Sequence, residues 1–257
     1  MGTLLAAAAV TLVFCAPYYP GGTGEAQPYL DQFAQAAAAA AGWPAGSLAA
    51  VYDPTEAGGI AKLASPDAAL AFVPYPFFVE HATRLHLAPL VQADTADTGS
   101  RQRWTLVAKR GRGSAATALA GFTLVSTAGY APRFIAHDAL QAWPLPHDVR
   151  IEPTGQVLSA LRRAAAGEPV VVLLDQTQAA ALASLPFAGE LQAVAQSPEL
   201  PVAVLAAVGT RVGAARAGSL RSGLLGMAHD PDNAALLASL RLRGFVPPAL
   251  PDHRDTP

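Results

Sequence analysis

Short apolar runs rich in β-branched residues alternate along this chain with longer segments whose apolar positions recur every three or four residues. The runs at 11–16, 47–53, 69–73, 88–94, 103–110, 122–125, 148–153, 169–175, 191–197 and 201–209 predict strands. Between them, 27–42, 55–65, 129–142, 154–168, 176–185, 211–228 and 231–243 predict helices, with Gly58-Gly59 weakening the second. The segment 154–168 is amphipathic: Val157, Leu158, Leu161 and Ala165 share a face that Arg162 and Arg163 leave. The following PVVVLLD (169–175) is apolar on both alternations and closes on Asp175, as expected of a strand covered on both sides. Strands and helices in alternation imply βαβ units and an α/β fold.

Composition changes little in this picture. Apolar residues make up 52% of the 257 positions, but alanine supplies much of that, so the excess is small side chains. A formal net charge of −2 gives no electrostatic footprint for nucleic acid or an acidic membrane surface. The single cysteine, Cys15, excludes an internal disulfide and any cysteine-rich metal site. It reads as a small core residue, because Leu12-Val13-Phe14 lacks the small residues that precede a lipidated cysteine. Residues 1–9 read either as the remnant of a signal segment without its positive start or as the lead into the first strand. No other stretch is long and apolar enough to predict a membrane-crossing helix. The polar tail 249–257 is expected to lie outside the folded core.

The familiar catalytic patterns are missing. Asp97-Thr98-Gly99-Ser100 carries the letters of an aspartic-protease loop, but that chemistry needs two carboxylates sharing a proton, and the triplet occurs once. A polar turn accounts for it. The six histidines show no metal-ligand spacing, and His81 and His86 read as helix-end residues. Phosphate loops, nucleophile elbows and dinucleotide fingerprints do not occur. The sequence therefore predicts neither an enzyme nor a cofactor.

Strand ends are more informative, since ligands of open parallel sheets bind outside the carboxyl ends of the strands. Tyr18-Tyr19, Tyr75, Ser126-Thr127 and Asp175 all fall at such ends, and Thr154 starts a helix. In GFTLVSTAGYAPRF (121–134) two hydroxyls and a glycine close a strand. That turn reads as a helix cap or as a cradle of N–H groups and hydroxyls for a small ligand.

The order of these segments resembles the substrate-binding proteins of ABC transporters, of the phosphate/phosphite/phosphonate type with a type 2 periplasmic-binding fold. The resemblance runs through the first strand with Pro17-Tyr18, VYDPTEAGGIAKLASPDAALAFVPYPFFVEHA, RWTLVAKRG, LAGFTLVSTAGYAPRF, LRRAAAGEPVVVLLD and LRLRGF. It covers nearly the whole chain through short, degenerate motifs. It implies two lobes, each a mixed or parallel sheet flanked by helices, around a central cleft. Lobe one would comprise 1–105 and 199–257, lobe two 106–198, with crossings near 104–109 and 196–201.

Carried over by position, the resemblance implies ligand contacts from Tyr18, Tyr19 and Tyr75 in lobe one. From lobe two it implies Ser126, Thr127 and Ala128 at the positive end of a helix, with Thr154 and Asp175 beside them. Pro153-Thr154-Gly155 stands where many relatives have Gly-Ser-His, and an aspartate in the site favours a protonated oxygen or an amine on the ligand. The implied protein is extracytoplasmic or periplasmic, a monomer without metal or cofactor. It captures a small oxyanionic ligand for a transient partner, an ABC permease; a sensing module of the same fold is the alternative.

Overall fold

The computed structural model describes residues 9–19, 23–113 and 115–251. Most of the expected leader and the end of the polar tail lie outside the described residues. Lobe one begins with β1 (Val10–Cys15), α1 (Thr23–Ala40), β2 (Leu48–Asp53), α2 (Glu56–Ala64), β3 (Ala68–Pro74), α3 (Tyr75–Leu85) and β4 (Leu87–Thr95). The chain crosses through β5 (Arg101–Gln102) into β6 (Thr105–Lys109), β7 (Thr123–Ser126), α4 (Pro132–Phe134), β8 (Arg150–Pro153), α5 (Val157–Ala166), β9 (Val170–Leu174), α6 (Gln176–Ala181) and β10 (Leu191–Gln196). It returns through β11 (Leu200–Pro201) to β12 (Ala203–Val208), α7 (Ala214–Gly226), α8 (Pro231–Ser239) and β13 (Leu242–Val246).

Two sheets result. The first has the order β13-β4-β12-β3-β1-β2 and the second β10-β6-β9-β7-β8, with β5 and β11 forming a two-stranded ribbon. Both sheets are mixed. Strand β12 runs antiparallel to β3 and β4, and β6 runs antiparallel to β9 and β10. Strands β1 and β3 have both faces covered, so they read as continuous apolar runs. Three apolar clusters fill the molecule. One packs lobe one's sheet against α1, α7 and α8, a second lies behind lobe two's sheet, and the third runs without a break from lobe one into lobe two.

Local chemistry explains the departures from the sequence pattern. Pro74-Tyr75-Pro76 reads as a turn, yet it opens α3, since proline is tolerated in a first turn that needs no N–H partner. Helix α3 ends at His86, whose φ of 52° gives a left-handed cap. His81 lies inside that helix and bonds Glu56 at 2.8 Å. The helix expected over 129–142 is shorter: a turn precedes Pro132, and α4 passes directly into a π turn, Ile135–Ala139. Helix α8 stops at Ser239, Arg241 takes a φ of 57°, and the chain becomes β13 where helix was expected.

The glycines of α2 are there for space. A Cβ on Gly58 would sit 2.3 Å from the Asp53 carboxylate, and one on Gly59 would sit 2.1 Å from Cys15 Sγ. That closeness lets Asp53 accept from the Thr55 N–H at 2.9 Å and from Lys62. Burial raises the Asp53 pKa, but these donors outweigh it and leave the carboxyl below its ordinary range. Cys15, buried beside Asp53 and Glu56, has its thiol pushed up to about 12. It is an inert core residue, as its sequence context suggests.

Candidate functional site

The seam between the lobes lies at strand ends. Lobe one contributes the carboxyl ends of β1, β3 and β4, and lobe two those of β7, β8 and β9. The crossing segments are tied together beside this seam. Trp104 N–H donates to Ser197 Oγ at 2.8 Å, Ser197 N–H to Trp104 O at 2.9 Å, and Val202 N–H to Ser100 O at 3.2 Å.

Asp175 follows β9 and caps α6. One carboxylate oxygen accepts the Gln178 N–H at 2.8 Å, and the Gln178 side chain accepts the Asp175 N–H in return. The other oxygen accepts from the Tyr19 hydroxyl of lobe one at 3.3 Å, a long bond. Asp175 is only 5% exposed. Burial raises its pKa, opposed by the Gln178 N–H, Tyr19 and the Thr177 N–H. Burial first, then the Asp175 charge, lifts the Tyr19 phenol as well.

Tyr19 and Asp175 form one wall of a cavity of about 390 Å³. Phe14, Leu30, Phe72, Ala93, Ala203 and Leu242 give it an apolar floor from lobe one's sheet and α1. Gln102 of the crossing ribbon and Thr177 of lobe two add polar groups. At the rim, Arg241 pairs with Asp97 at 3.1 Å and keeps its side chain 77% exposed. The loop around Asp97 is a tight turn: Thr95 and Gly99 exchange backbone bonds, and the Thr95 hydroxyl accepts from Thr98 N–H.

The other expected residues lie across the same seam, outside this cavity. Ser126 is fully buried, donates to Leu173 O at 2.8 Å and accepts from Ala128 N–H at 3.1 Å. Gly129 and Thr154 N–H groups both bond back to Ser126 O. A Cβ on Gly129 would lie 2.2 Å from Glu152 O, so that glycine lets the turn press against the end of β8. Thr127 hides its hydroxyl without a hydrogen-bond partner, and Ala128 is buried. The Thr154 hydroxyl accepts from Gln156 N–H at 2.9 Å. Tyr75 is fully buried and donates to Asp138 at 3.1 Å, while Tyr18 is 39% exposed and stacks on Tyr130. Phe134 makes ring contacts with both Tyr75 and Trp104, Phe77 makes one with Tyr130, and all five belong to the apolar cluster that fills this side of the seam.

Sequence reading brings Tyr19 and Asp175 to the cavity but passes over Phe14, Leu30 and Phe72. Their pattern is that of ordinary core residues, and only the position of both phenylalanines near strand carboxyl ends hints otherwise.

No family model and no curated protein matches this chain. Solved structures do. XAC2383 from Xanthomonas citri, solved with chloride, aligns with a TM-score of 0.69 at 15% identity, covering 94% of this chain and 92% of that one. The binding component of an ABC phosphonate transporter from Pseudomonas aeruginosa gives 0.59 at 14% identity, covering 93% and 81%. PhnD1 from Prochlorococcus marinus, in complex with methylphosphonate, gives 0.58 at 13% identity, covering 93% and 92%. The chain has a type 2 periplasmic-binding-protein-like fold. At such identities the likeness is one of architecture, and function rests on this chain's own residues.

Proposed function

We propose that this protein is a solute-binding protein that captures a small ligand between its lobes and hands it to an ABC permease. The observation that carries the reading is the cavity at the seam, whose wall joins lobe one to lobe two through the Tyr19–Asp175 bond. A ligand seated there touches both lobes, so it favours the closed arrangement over the open one. On this reading lobe one is 1–105 with 199–257, lobe two is 106–198, and the ribbon of β5 and β11 lies at the hinge. The protein works as a monomer outside the cytoplasm and performs no chemistry on its cargo. Among the described residues no helix is long and apolar enough to cross a membrane.

The class implied by the resemblance is an oxyanion; among the residues lining the cavity, the hydroxyls of Tyr19 and Thr177 and the Gln102 amide are the donors that would meet it. Structural neighbours that carry phosphonate and, in the case of SsuA from Escherichia coli, aliphatic sulphonate support it at the level of fold. A thermal-shift panel of phosphate, methylphosphonate, alkyl sulfonates, amino acids and amines tests the reading. A ligand at about 100 times its Kd adds roughly 2.7 kcal/mol, which for a chain of this size raises Tm by about 5–10 °C. A panel without any shift, confirmed by calorimetry, overturns the solute-binding reading.

A further inference from the structure

We propose that the cavity selects a flat, uncharged molecule that carries a hydrogen-bond donor and an acceptor side by side, as in a primary carboxamide or a lactam, and that the Gln102 amide reads that edge. This rests on the solute-binding reading and names the ligand class for that same site.

Gln102 lies on β5, where it pairs with Leu200, and its side chain lines the cavity although the residue is only 5% exposed. Among the described residues that side-chain amide makes no hydrogen bond. Other glutamines around the seam are bonded within the protein. Gln92 donates to Ser100 O and accepts from Ala249 N–H, Gln176 accepts from Arg103 N–H at 3.1 Å, and Gln178 completes the cap of α6. A buried amide without partners is unfavourable, and a primary amide offers both an N–H donor and a carbonyl acceptor. One ligand group that satisfies both must present an acceptor next to a donor, which is the edge of a carboxamide or lactam. The same two-point pairing lets glutamine read the adjacent donor and acceptor of adenine.

The rest of the lining disfavours charge. Asp175 already accepts from Gln178 N–H, Thr177 N–H and the Tyr19 hydroxyl, and Arg241 pairs with Asp97 at the exposed rim. The floor is hydrocarbon, and Phe14 and Phe72 meet there edge to face with centroids 5.2 Å apart. An ion seated on that floor gives up its hydration and meets no unpaired counter-charge. A flat ring gains burial and ring contacts instead. A cavity of about 390 Å³ lies at the small end of ligand pockets and holds a small ring system with one polar edge.

Calorimetry with benzamide, 2-quinolinone, acetophenone, benzoate and benzylamine tests the assignment. Benzamide or 2-quinolinone is expected to bind at least about tenfold more tightly than the two ions and than acetophenone, which keeps the ring and the acceptor but has no donor. Gln102→Met keeps the length of the side chain and removes the amide. It is expected to abolish that preference while Tm holds or rises, because no bond within the protein is lost. Ala203→Leu, which narrows the cavity and leaves Gln102 intact, is expected to weaken the amides and the ketone alike by about tenfold. Amides that bind no better than acetophenone, a preference that survives Gln102→Met, or binding that Ala203→Leu leaves unchanged overturns the assignment. A Tm lowered by several degrees in Gln102→Met overturns it too, since the amide would then be holding the protein together. Benzoate or benzylamine binding without the amides also overturns it while leaving the solute-binding reading standing. Failure of every compound here and in the wider panel sinks both.

Discussion

Phe14 and Cys15 are neighbours in β1 and point to opposite faces of one sheet, so they show how differently the two sides of the seam are built. On the Cys15 side, lobe two reaches over with Tyr130 and Phe134, Trp104 of the crossing segment packs against Phe134, and the apolar cluster is continuous from one lobe to the other. On the Phe14 side, lobe two sends only the cap of α6, and a cavity remains between it and the sheet. One side is a joint and the other a vessel. Apolar area alone does not separate them, since both are lined by phenylalanines; the difference is whether the opposite lobe supplies side chains of matching volume.

The largest effect tests the joint. Phe134→Ala removes a ring that contacts both Tyr75 and Trp104, and is expected to cost about 3–5 kcal/mol in urea unfolding. Trp104→Phe should cost far less, because it keeps a ring there and removes a buried indole N–H that has no partner. An equal loss from both would show that the ring contacts are not what holds the lobes.

Gly129→Ala comes next. Its Cβ would meet the Glu152 backbone, which cannot swing aside as a side chain can, so about 1–3 kcal/mol of destabilisation is expected in the same assay. A neutral result would mean the turn does not press on β8 in solution.

A matched pair then sets the two sides against each other. Ala131→Leu overfills the joint and should cost about 1–3 kcal/mol, whereas Ala203→Leu projects into the cavity and should cost less than about 1 kcal/mol. Equal costs would abolish the distinction between joint and vessel.

The smallest effect is a pH dependence. The Asp175 pKa is raised on folding, so its contribution is fully present below the unfolded carboxyl pKa and is lost as pH rises through the folded value. Stability should therefore decline from the ordinary carboxylate range upward, and Asp175→Asn should flatten that part of the curve in a pH series of thermal melts. Asp53 works in the opposite sense, because its pKa is lowered: its contribution is lost as pH falls.

Much of this architecture is legible in the sequence. VTLVFC, VVVLL and AVLAAV announce their strands because burial on both faces needs unbroken apolar runs, and Asp175 stands out as the acid that ends one of them. What stays hidden depends on volume or on partners far along the chain. Nothing local tells Phe14 and Phe72, beside a void, from Phe33 and Phe245, packed against them. The turn after β7 looks like a cradle because serine, threonine and glycine serve ligands and backbones equally; the acceptor of the Ser126 hydroxyl, Leu173 O, lies 47 residues away. Strand β13 is masked by Leu240 and Leu242, which continue the spacing of α8 until Arg241 turns the chain.

The position of β12 has a consequence for synthesis. It lies between β3 and β4, so two parallel strands made early have no ladder between them until roughly 110 further residues have been added. At ordinary translation rates that wait lasts on the order of ten seconds. Meanwhile β6 to β10 emerge as one contiguous block with every strand of their own sheet. The nascent chain therefore finishes its middle before its beginning, and the edges of β3 and β4 that await β12 are where a chaperone on the ribosome has most to cover.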